Sequence, residues 1–344
     1  MDSEENNFIL KFKLMEYKAL VVEELNGSFK SSLQITDSES FLPAGEVLIR
    51  VHFSSLNYKD ALSATGNKGV TRNYPHTPGI DAAGVVLQSS TCNLTPGEEV
   101  IVTGFDLGMN TPGGMGQLIR VPASWVVKLP VGLSLKESMI FGTGGFTAAI
   151  SVLRLTEKVK PEQGPVLVSG ATGGVGSMAV AMLSKLGYNV HTISGKESEH
   201  EFLYSLGATS VYPRSEFQEV SPKPLLPGRF AGGVDTVGGE ILVNMIKSIQ
   251  QDGVVTTCGS VSSVVLNLNV FPFILRAVSL VGISAQNYPA HLRPELWNLL
   301  AGEFKPANLI AMMTEIKLQE IEYAVQQILK GQLKGRTVIN LLEE

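Results

Sequence analysis

The sequence predicts an α/β protein of two domains, a doubly wound parallel sheet joined to a β-rich domain of short strands. Three observations predict it. A chain of 344 residues is longer than a single core usually supports, so two domains are expected. A glycine corner, Gly170-Ala171-Thr172-Gly173-Gly174-Val175-Gly176, stands between a strand-like run and a helix-spaced one. Strand-like and helix-like runs alternate from 165 to 283, whereas before residue 134 strands follow one another across turns.

The corner begins the alternating part. Pro165-Val166-Leu167-Val168-Ser169 is a short apolar run, and Met178, Ala181, Met182 and Leu186 recur at helical spacing behind it. Strand, glycine turn and helix together form a phosphate-binding corner. Glycines admit a pyrophosphate close to the backbone, and the helix N-terminus offers free N–H groups and a positive dipole end. The spacing is G-x-x-G-x-x-G, so the flanking elements carry the inference more than the motif does. The next strand, 189–193, ends at Ser194-Gly195-Lys196. An NAD site would place an acid there for the ribose 2′-OH. A hydroxyl, a glycine and a cation suit a 2′-phosphate instead, which predicts NADPH; the alternative is a solvated surface lysine. Glu197 is assigned to the first turn of the following helix, where an acid favours the dipole. Leu203, Leu206 and Gly207-Ala208 close that helix, 210–212 is a third strand, and Arg214 lies just past it. Runs at 233–238, 253–259 and 279–283 complete the series, with a helix at 241–249. Glycines after these strands mark carboxyl ends, where ligands bind in such sheets.

The rest reads differently. Strands are predicted at 18–23, 46–54, 83–89, 99–103 and 118–122, with turns at Pro96-Gly97 and Gly113-Gly114, as in a β-rich barrel. Helices at 295–300 and 318–329 and a strand at 336–341 do not extend the alternation, so they are expected to return to this first domain. The cofactor domain is then an insertion at 134–289, between 16–133 and 290–344. Residues 1–15 form an N-terminal extension. Its first seven are acidic and polar, unlike a signal peptide, and the alternation of Leu10, Phe12 and Leu14 predicts an extra strand or docked segment.

Bulk properties narrow the partners. Net charge is −5, and no basic cluster interleaves with aromatics, which argues against nucleic acid. Two cysteines, Cys92 and Cys258, cannot build a disulfide framework or a cysteine zinc cluster, and a reducing, cytoplasmic setting fits. No apolar run is expected to span a bilayer, so no membrane partner is expected.

Several stretches together resemble the medium-chain dehydrogenase/reductase superfamily, from about residue 16 onward. They are 54–62 (Ser-Ser-Leu-Asn-Tyr-Lys-Asp-Ala-Leu), 78–84 (Pro-Gly-Ile-Asp-Ala-Ala-Gly), 142–148 (Gly-Thr-Gly-Gly-Phe-Thr-Ala), the glycine corner, 194–198 and Gly335-Arg336-Thr337. The chain is most similar to the zinc-free YhdH/YhfP-type quinone oxidoreductases, whose bacterial members include acryloyl-CoA reductases. The resemblance implies a GroES-like catalytic domain beside a Rossmann cofactor domain, NADPH as cofactor, and a homodimer joined at sheet edges. Lys196 departs from the arginine of many relatives, and lysine cannot grip a phosphate bidentately. The resemblance also implies that zinc is absent. Where zinc relatives carry a cysteine ligand this chain has Asn57, and their Gly-His-Glu turn is Gly79-Ile80-Asp81. Of the five histidines, only His76 stands near the expected cleft.

Without a metal electrophile, an activated alkene is the easier hydride acceptor. The resemblance places Asn57 and Tyr58 beside the nicotinamide. Tyr58 is either a proton donor or an aromatic wall; Asn57 either orients a carbonyl or caps a turn. Asp60 is expected to be a structural charge partner of Lys59 or Arg72, and Arg72 a loop arginine near the substrate mouth. Thr172, Gly173, Gly174 and Val175 are assigned to the pyrophosphate, and Ser194, Gly195 and Lys196 to the 2′-phosphate. Arg214 is assigned to the adenine or to plain surface. Cys258, Gly259 and Ser260 are assigned to the nicotinamide ribose, and Ser284 and Asn287 to the carboxamide. The leading expectation is an NADPH-dependent reductase of an enoyl thioester. A quinone reductase and a non-catalytic NADPH-binding protein are the alternatives.

Overall fold

A computed structural model describes residues 15–342; the strand or docked segment expected from Leu10 to Leu14 lies outside them. β1 (Glu16–Leu25) and β2 (Ser28–Asp37) form an antiparallel hairpin. Asn26 and Gly27 turn it with φ of 52° and 78°, the conformation that two-residue hairpin loops require. Then come β3 (Val47–Leu56), α1 (Tyr58–Ala64), β4 (Asp81–Ser89), β5 (Glu99–Thr103), β6 (Leu118–Val121) and β7 (Val126–Lys128).

α2 (Leu135–Thr156) opens on a capping box: Ser134 Oγ accepts the Glu137 N–H at 3.2 Å, and the Glu137 carboxylate accepts the Ser134 N–H at 2.9 Å. This helix is long and apolar enough to cross a membrane, contrary to the sequence expectation, but 78% of its apolar window is buried inside the protein. It packs against β3, β4, β5 and the strand Arg336–Asn340 on one side and against the helix Gly174–Lys185 and the strands Phe230–Asp235 and Ile249–Thr257 on the other, so one core serves both sheets.

The alternating part follows: β8 (Val166–Val168), α3 (Gly174–Lys185), β9 (Val190–Ser194), α4 (His200–Ser205), β10 (Ala208–Pro213), α5 (Arg214–Gln218), β11 (Phe230–Asp235), α6 (Gly239–Lys247), β12 (Ile249–Thr257), α7 (Phe271–Arg276) and β13 (Ser279–Gly282). Its six strands are ordered β10-β9-β8-β11-β12-β13, all parallel. This is the doubly wound order, whose crevice lies outside the carboxyl ends at the switch between β8 and β11. β8 and β11 are buried along their whole length, as strands covered on both faces must be.

The chain then leaves this sheet through α8 (Arg293–Ala301), β14 (Met313–Lys317), α9 (Ile321–Leu329) and β15 (Arg336–Asn340). β15 pairs antiparallel with β3 and parallel with β14, placing the last strands in the seven-stranded sheet.

Candidate active site

The carboxyl ends of the parallel sheet meet α1 and the start of β15: the Thr172 carbonyl accepts the Gly335 N–H at 2.9 Å, and Lys59 Nζ reaches Gln286 at 2.6 Å. At the sheet side, Gly173 caps α3 and Gly174 begins it. Gly170 turns the chain with φ 58°, and a Cβ there would lie 2.2 Å from Thr236 Oγ1. Gly176 packs against the corner itself, its Cβ position 2.3 Å from Gly170 O. Thr172 is buried and its carbonyl accepts the Gly335 N–H at 2.9 Å. Val175 is half-buried beside them. Gly174 lies against Arg336, with a Cβ position 2.8 Å from Arg336 Nη1.

Ser194 and Lys196 share the turn after β9, where the Lys196 N–H donates to Ser194 Oγ at 3.1 Å. Gly195 is exposed, and the Arg214 guanidinium covers it at 3.1 Å from the Cβ position. Lys196 Nζ reaches the Leu333 carbonyl at 3.4 Å. Glu197 begins the helical turn that leads into α4. Two cations and a glycine thus meet at the end of β9, and a bare helix N-terminus stands at the end of β8. This donor set fits a phosphorylated dinucleotide.

At the end of β11, Asp235 is buried and accepts Ser169 Oγ at 2.7 Å, Thr257 Oγ1 at 2.9 Å and the Gly238 N–H at 3.0 Å. Its burial pushes its pKa up, against those hydrogen bonds. Gly259 lies on the Thr236 carbonyl, with a Cβ position 1.8 Å away. The Cys258 N–H donates to Asp235 O at 3.1 Å. Burial raises the Cys258 thiol to about 12, so it stays protonated at neutral pH. Ser260, Ser284 and Asn287 are exposed around this end.

Opposite stands a buried polar cluster. Asp81, at the head of β4, accepts Ser55 Oγ at 2.6 Å, Asn57 Nδ2 at 2.8 Å and the Thr143 N–H at 2.8 Å on Oδ2. Its Oδ1 accepts Thr143 Oγ1 at 2.6 Å. Arg336 donates to the Ile140 carbonyl at 3.0 Å, to Asn57 Oδ1 at 3.2 Å and to Ser55 Oγ at 2.8 Å. Its Nη2 is 3.9 Å from Asp81 Oδ2. Gly142 breaks α2 with φ 47°, and a Cβ there would lie 2.4 Å from Ser55 Oγ. Asp60 Oδ1 accepts the Ile80 N–H at 2.8 Å, and Oδ2 accepts the Asn57 N–H at 2.7 Å. Burial first, and Asp81 second, raise Asp60 to about 7.

Asn57 is therefore fixed on both ends of its amide, and Tyr58 follows it at the exposed start of α1. Asp60 makes no salt-bridge contact with Lys59 or Arg72, but its charge acts on the neighbouring Lys59, raising that amine's pKa against the larger lowering by burial. Lys59 Nζ donates to Gln286 Oε1 at 2.6 Å. Arg72 is exposed, and its N–H donates to Asn110 Oδ1 at 3.2 Å. His76 is buried against Tyr74, its Nε2 without a hydrogen-bond partner. It takes no part in the Asn57 cluster. Sequence reasoning gave no role to Asp81, Thr143, Ser55, Asp235 or Arg336. The available signal was a charge set in an otherwise apolar strand, which is rare unless paired.

The comparisons with known proteins agree with this layout. Residues 43–131 match the alcohol dehydrogenase GroES-like domain, and residues 174–302 match the zinc-binding dehydrogenase family. The probable acrylyl-CoA reductase AcuI of Escherichia coli is 42% identical over 94% of this chain and 99% of its own. The putative quinone oxidoreductase YhfP of Bacillus subtilis is 41% identical over 89% of this chain and 93% of its own. Its structure with NAD bound superposes with a TM-score of 0.92 at 38% identity, covering 96% of this chain and 100% of that one. The YhdH oxidoreductase of Salmonella enterica in complex with NADP gives a TM-score of 0.91 at 42% identity, covering 94% and 99%. A zinc ion, which the second family's description suggests, does not fit the residues here. Ile80 is buried and offers no donor, and among the described residues no three His, Cys, Asp or Glu side chains group as a metal site. The chain belongs to the medium-chain dehydrogenase/reductase superfamily, in the branch of the YhdH-type acrylyl-CoA reductases and YhfP-type quinone oxidoreductases.

Proposed function

We propose that this protein is an NADPH-dependent reductase of an activated carbon–carbon double bond, acting without zinc on a short enoyl thioester of the acryloyl-CoA type. The observation that carries it is the 42% identity to an acrylyl-CoA reductase over 94% of the chain. Bound NADPH supplies the hydride. Thr172, Gly173, Gly174 and Val175 hold the pyrophosphate at the α3 N-terminus, with Arg336 behind Gly174. Ser194, Gly195, Lys196 and Arg214 hold the 2′-phosphate and adenine. Cys258, Gly259, Ser260 and Ser284 line the nicotinamide end. Asn57, locked by Asp81 and Arg336, orients a carbonyl or carboxamide, and the Tyr58 hydroxyl delivers a proton to the α carbon.

NADPH oxidation with acryloyl-CoA and with benzoquinone tests this for wild type and Tyr58→Phe. Efficient thioester turnover is expected, with the Tyr58→Phe rate lower by on the order of 10²-fold and little change toward quinone. Efficient quinone turnover with an inert thioester overturns the reading in favour of a quinone reductase, which the 41% identity to YhfP supports. A chelator is expected to leave the rate unchanged.

The protein is further proposed to be a cytoplasmic homodimer. β13 ends the parallel sheet with a free edge. The preceding segment exposes Val261, Val264, Val270, Phe271, Ile274 and Leu275, an apolar patch of the kind that marks an interface. The two free thiols suit a reducing compartment.

A further inference from the structure

Lys59 stands in the first turn of α1, with the neighbouring Asp60 charge acting on it but no carboxylate in salt-bridge contact. It is half-buried, and burial depresses its pKa. Among the described residues it forms no ion pair with a carboxylate; its side-chain partner is the neutral Gln286 amide oxygen at 2.6 Å. Gln286 lies just beyond β13, anchored by the Arg293 guanidinium at 3.1 Å from its carbonyl. The ammonium therefore bridges α1 and the segment beyond β13.

Its position along the sheet says which ligand it meets. The phosphate corner is at β8 and the Lys196–Arg214 pair is at β9. β13 is three strands from β8 and four from β9, about 14 and 19 Å at the usual strand spacing. A dinucleotide with its phosphates at β8 and β9 has its reacting end toward β12 and β13. The β9 end already has its own cations in Lys196 and Arg214, and the β8 end has the α3 N-terminus. Lys59 stands instead beside Tyr58, the residue assigned above to proton delivery. A desolvated cation facing a neutral amide is a ready partner for negative charge that appears during the reaction.

We infer that Lys59 is a catalytic residue that binds the thioester carbonyl oxygen and stabilises the enolate formed when hydride reaches the β carbon. This rests on the thioester reading above. As the new carbon–hydrogen bond forms at Cβ, the alkene π pair moves to join Cα to the carbonyl carbon. The carbonyl π pair becomes a lone pair on oxygen, facing the ammonium. Proton transfer to Cα then restores the carbonyl, so enoyl thioester, NADPH and one proton give acyl thioester and NADP⁺. Gln286 holds the ammonium in place until the substrate oxygen replaces it.

The test uses the full chain with Lys59→Met and Lys59→Arg. NADPH affinity, read by nicotinamide fluorescence, is expected to stay within about twofold of wild type in both, because other cations hold the phosphates. The acryloyl-CoA kcat is expected to fall by on the order of 10²-fold to 10³-fold in Lys59→Met, to recover partly in Lys59→Arg, and to rise saturably when ethylamine is added to Lys59→Met. A folded Lys59→Met enzyme with near-wild-type kcat, or with NADPH affinity lost in step with activity, overturns the assignment. An inert wild type toward acryloyl-CoA overturns the functional reading instead. Should Lys59→Met not fold, Lys59→Gln removes the charge and keeps a hydrogen bond to Gln286.

Discussion

Two carboxylates, Asp60 and Asp81, are withdrawn from water within one cluster, and they are kept there differently. Four donor contacts converge on Asp81, with Arg336 close by. Asp60 has backbone and amide donors but no cation in salt-bridge contact, so burial and Asp81 lift it from 3.8 to about 7. The folded state therefore holds that proton more tightly than the unfolded chain. Its contribution to stability is complete below about pH 4 and is lost as pH rises through about 7. Asp60→Asn cannot titrate and loses one acceptor. It should be less stable than wild type at pH 5, with the gap narrowing by pH 8; thermal melting across that range checks it, and a constant gap refutes it. Lys196 decides a different question. The Arg214 guanidinium lies on Gly195 beside it, a pairing suited to a phosphate. Lys196→Ala should weaken NADPH binding about tenfold to a hundredfold and leave NADH nearly unchanged. Equal losses, measured by fluorescence titration, would place the lysine outside the 2′-phosphate site.

The glycine corner works as an element because backbone packs on backbone there. A Cβ on Gly176 would meet Gly170 O at 2.3 Å and Ala171 Cα at 2.8 Å, and neither can move without reshaping the turn that α3 caps. Gly176→Ala is expected to cost about 1–3 kcal/mol of stability and to lower NADPH affinity; urea unfolding and cofactor titration measure both. This corner is contiguous in sequence, so it was legible there, as were the parallel strands with their buried apolar runs. α2 was not, although it is the longest helix among the described residues. Its apolar residues lie nearly all round, buried between two sheets, so no polar face sets a helical rhythm, and its Gly-Thr-Gly-Gly stretch reads as a turn. β2 was missed for the opposite reason: it is polar and mostly accessible. The cluster around Asp81 draws on β3, β4, α1, α2 and β15. Only the fold brings these together, and no spacing along the chain announces it. What could be read locally was each charge at the head or end of an apolar strand, at Asp81, Asp235 and Arg336.

At the scale of the molecule, a shared core around α2 holds the two sheets as one body, and the cleft between them leaves the far edge of the parallel sheet free. That edge, Ser279-Leu280-Val281-Gly282, carries no charge or proline to discourage strand addition. Next to it Val264 is 82% exposed and Ile274 66%, large apolar side chains left mostly in water. A second copy meeting β13 edge to edge across a twofold axis satisfies both, because the same strand and patch face their own images. In the proposed dimer, β13 would pair with its own image and extend the sheet, and α7 with the preceding segment would bury its apolar side chains around the contact. Wild type should sediment as a dimer at micromolar concentration, and Val264→Asp with Ile274→Asp should sediment as a folded monomer with a lower melting temperature. Val264 and Ile274 are not among the residues assigned to the cofactor, so NADPH affinity of the monomeric variant should change by less than about threefold. A variant that remains dimeric would place the contact elsewhere, and a wild type that is monomeric would leave the patch to a different partner.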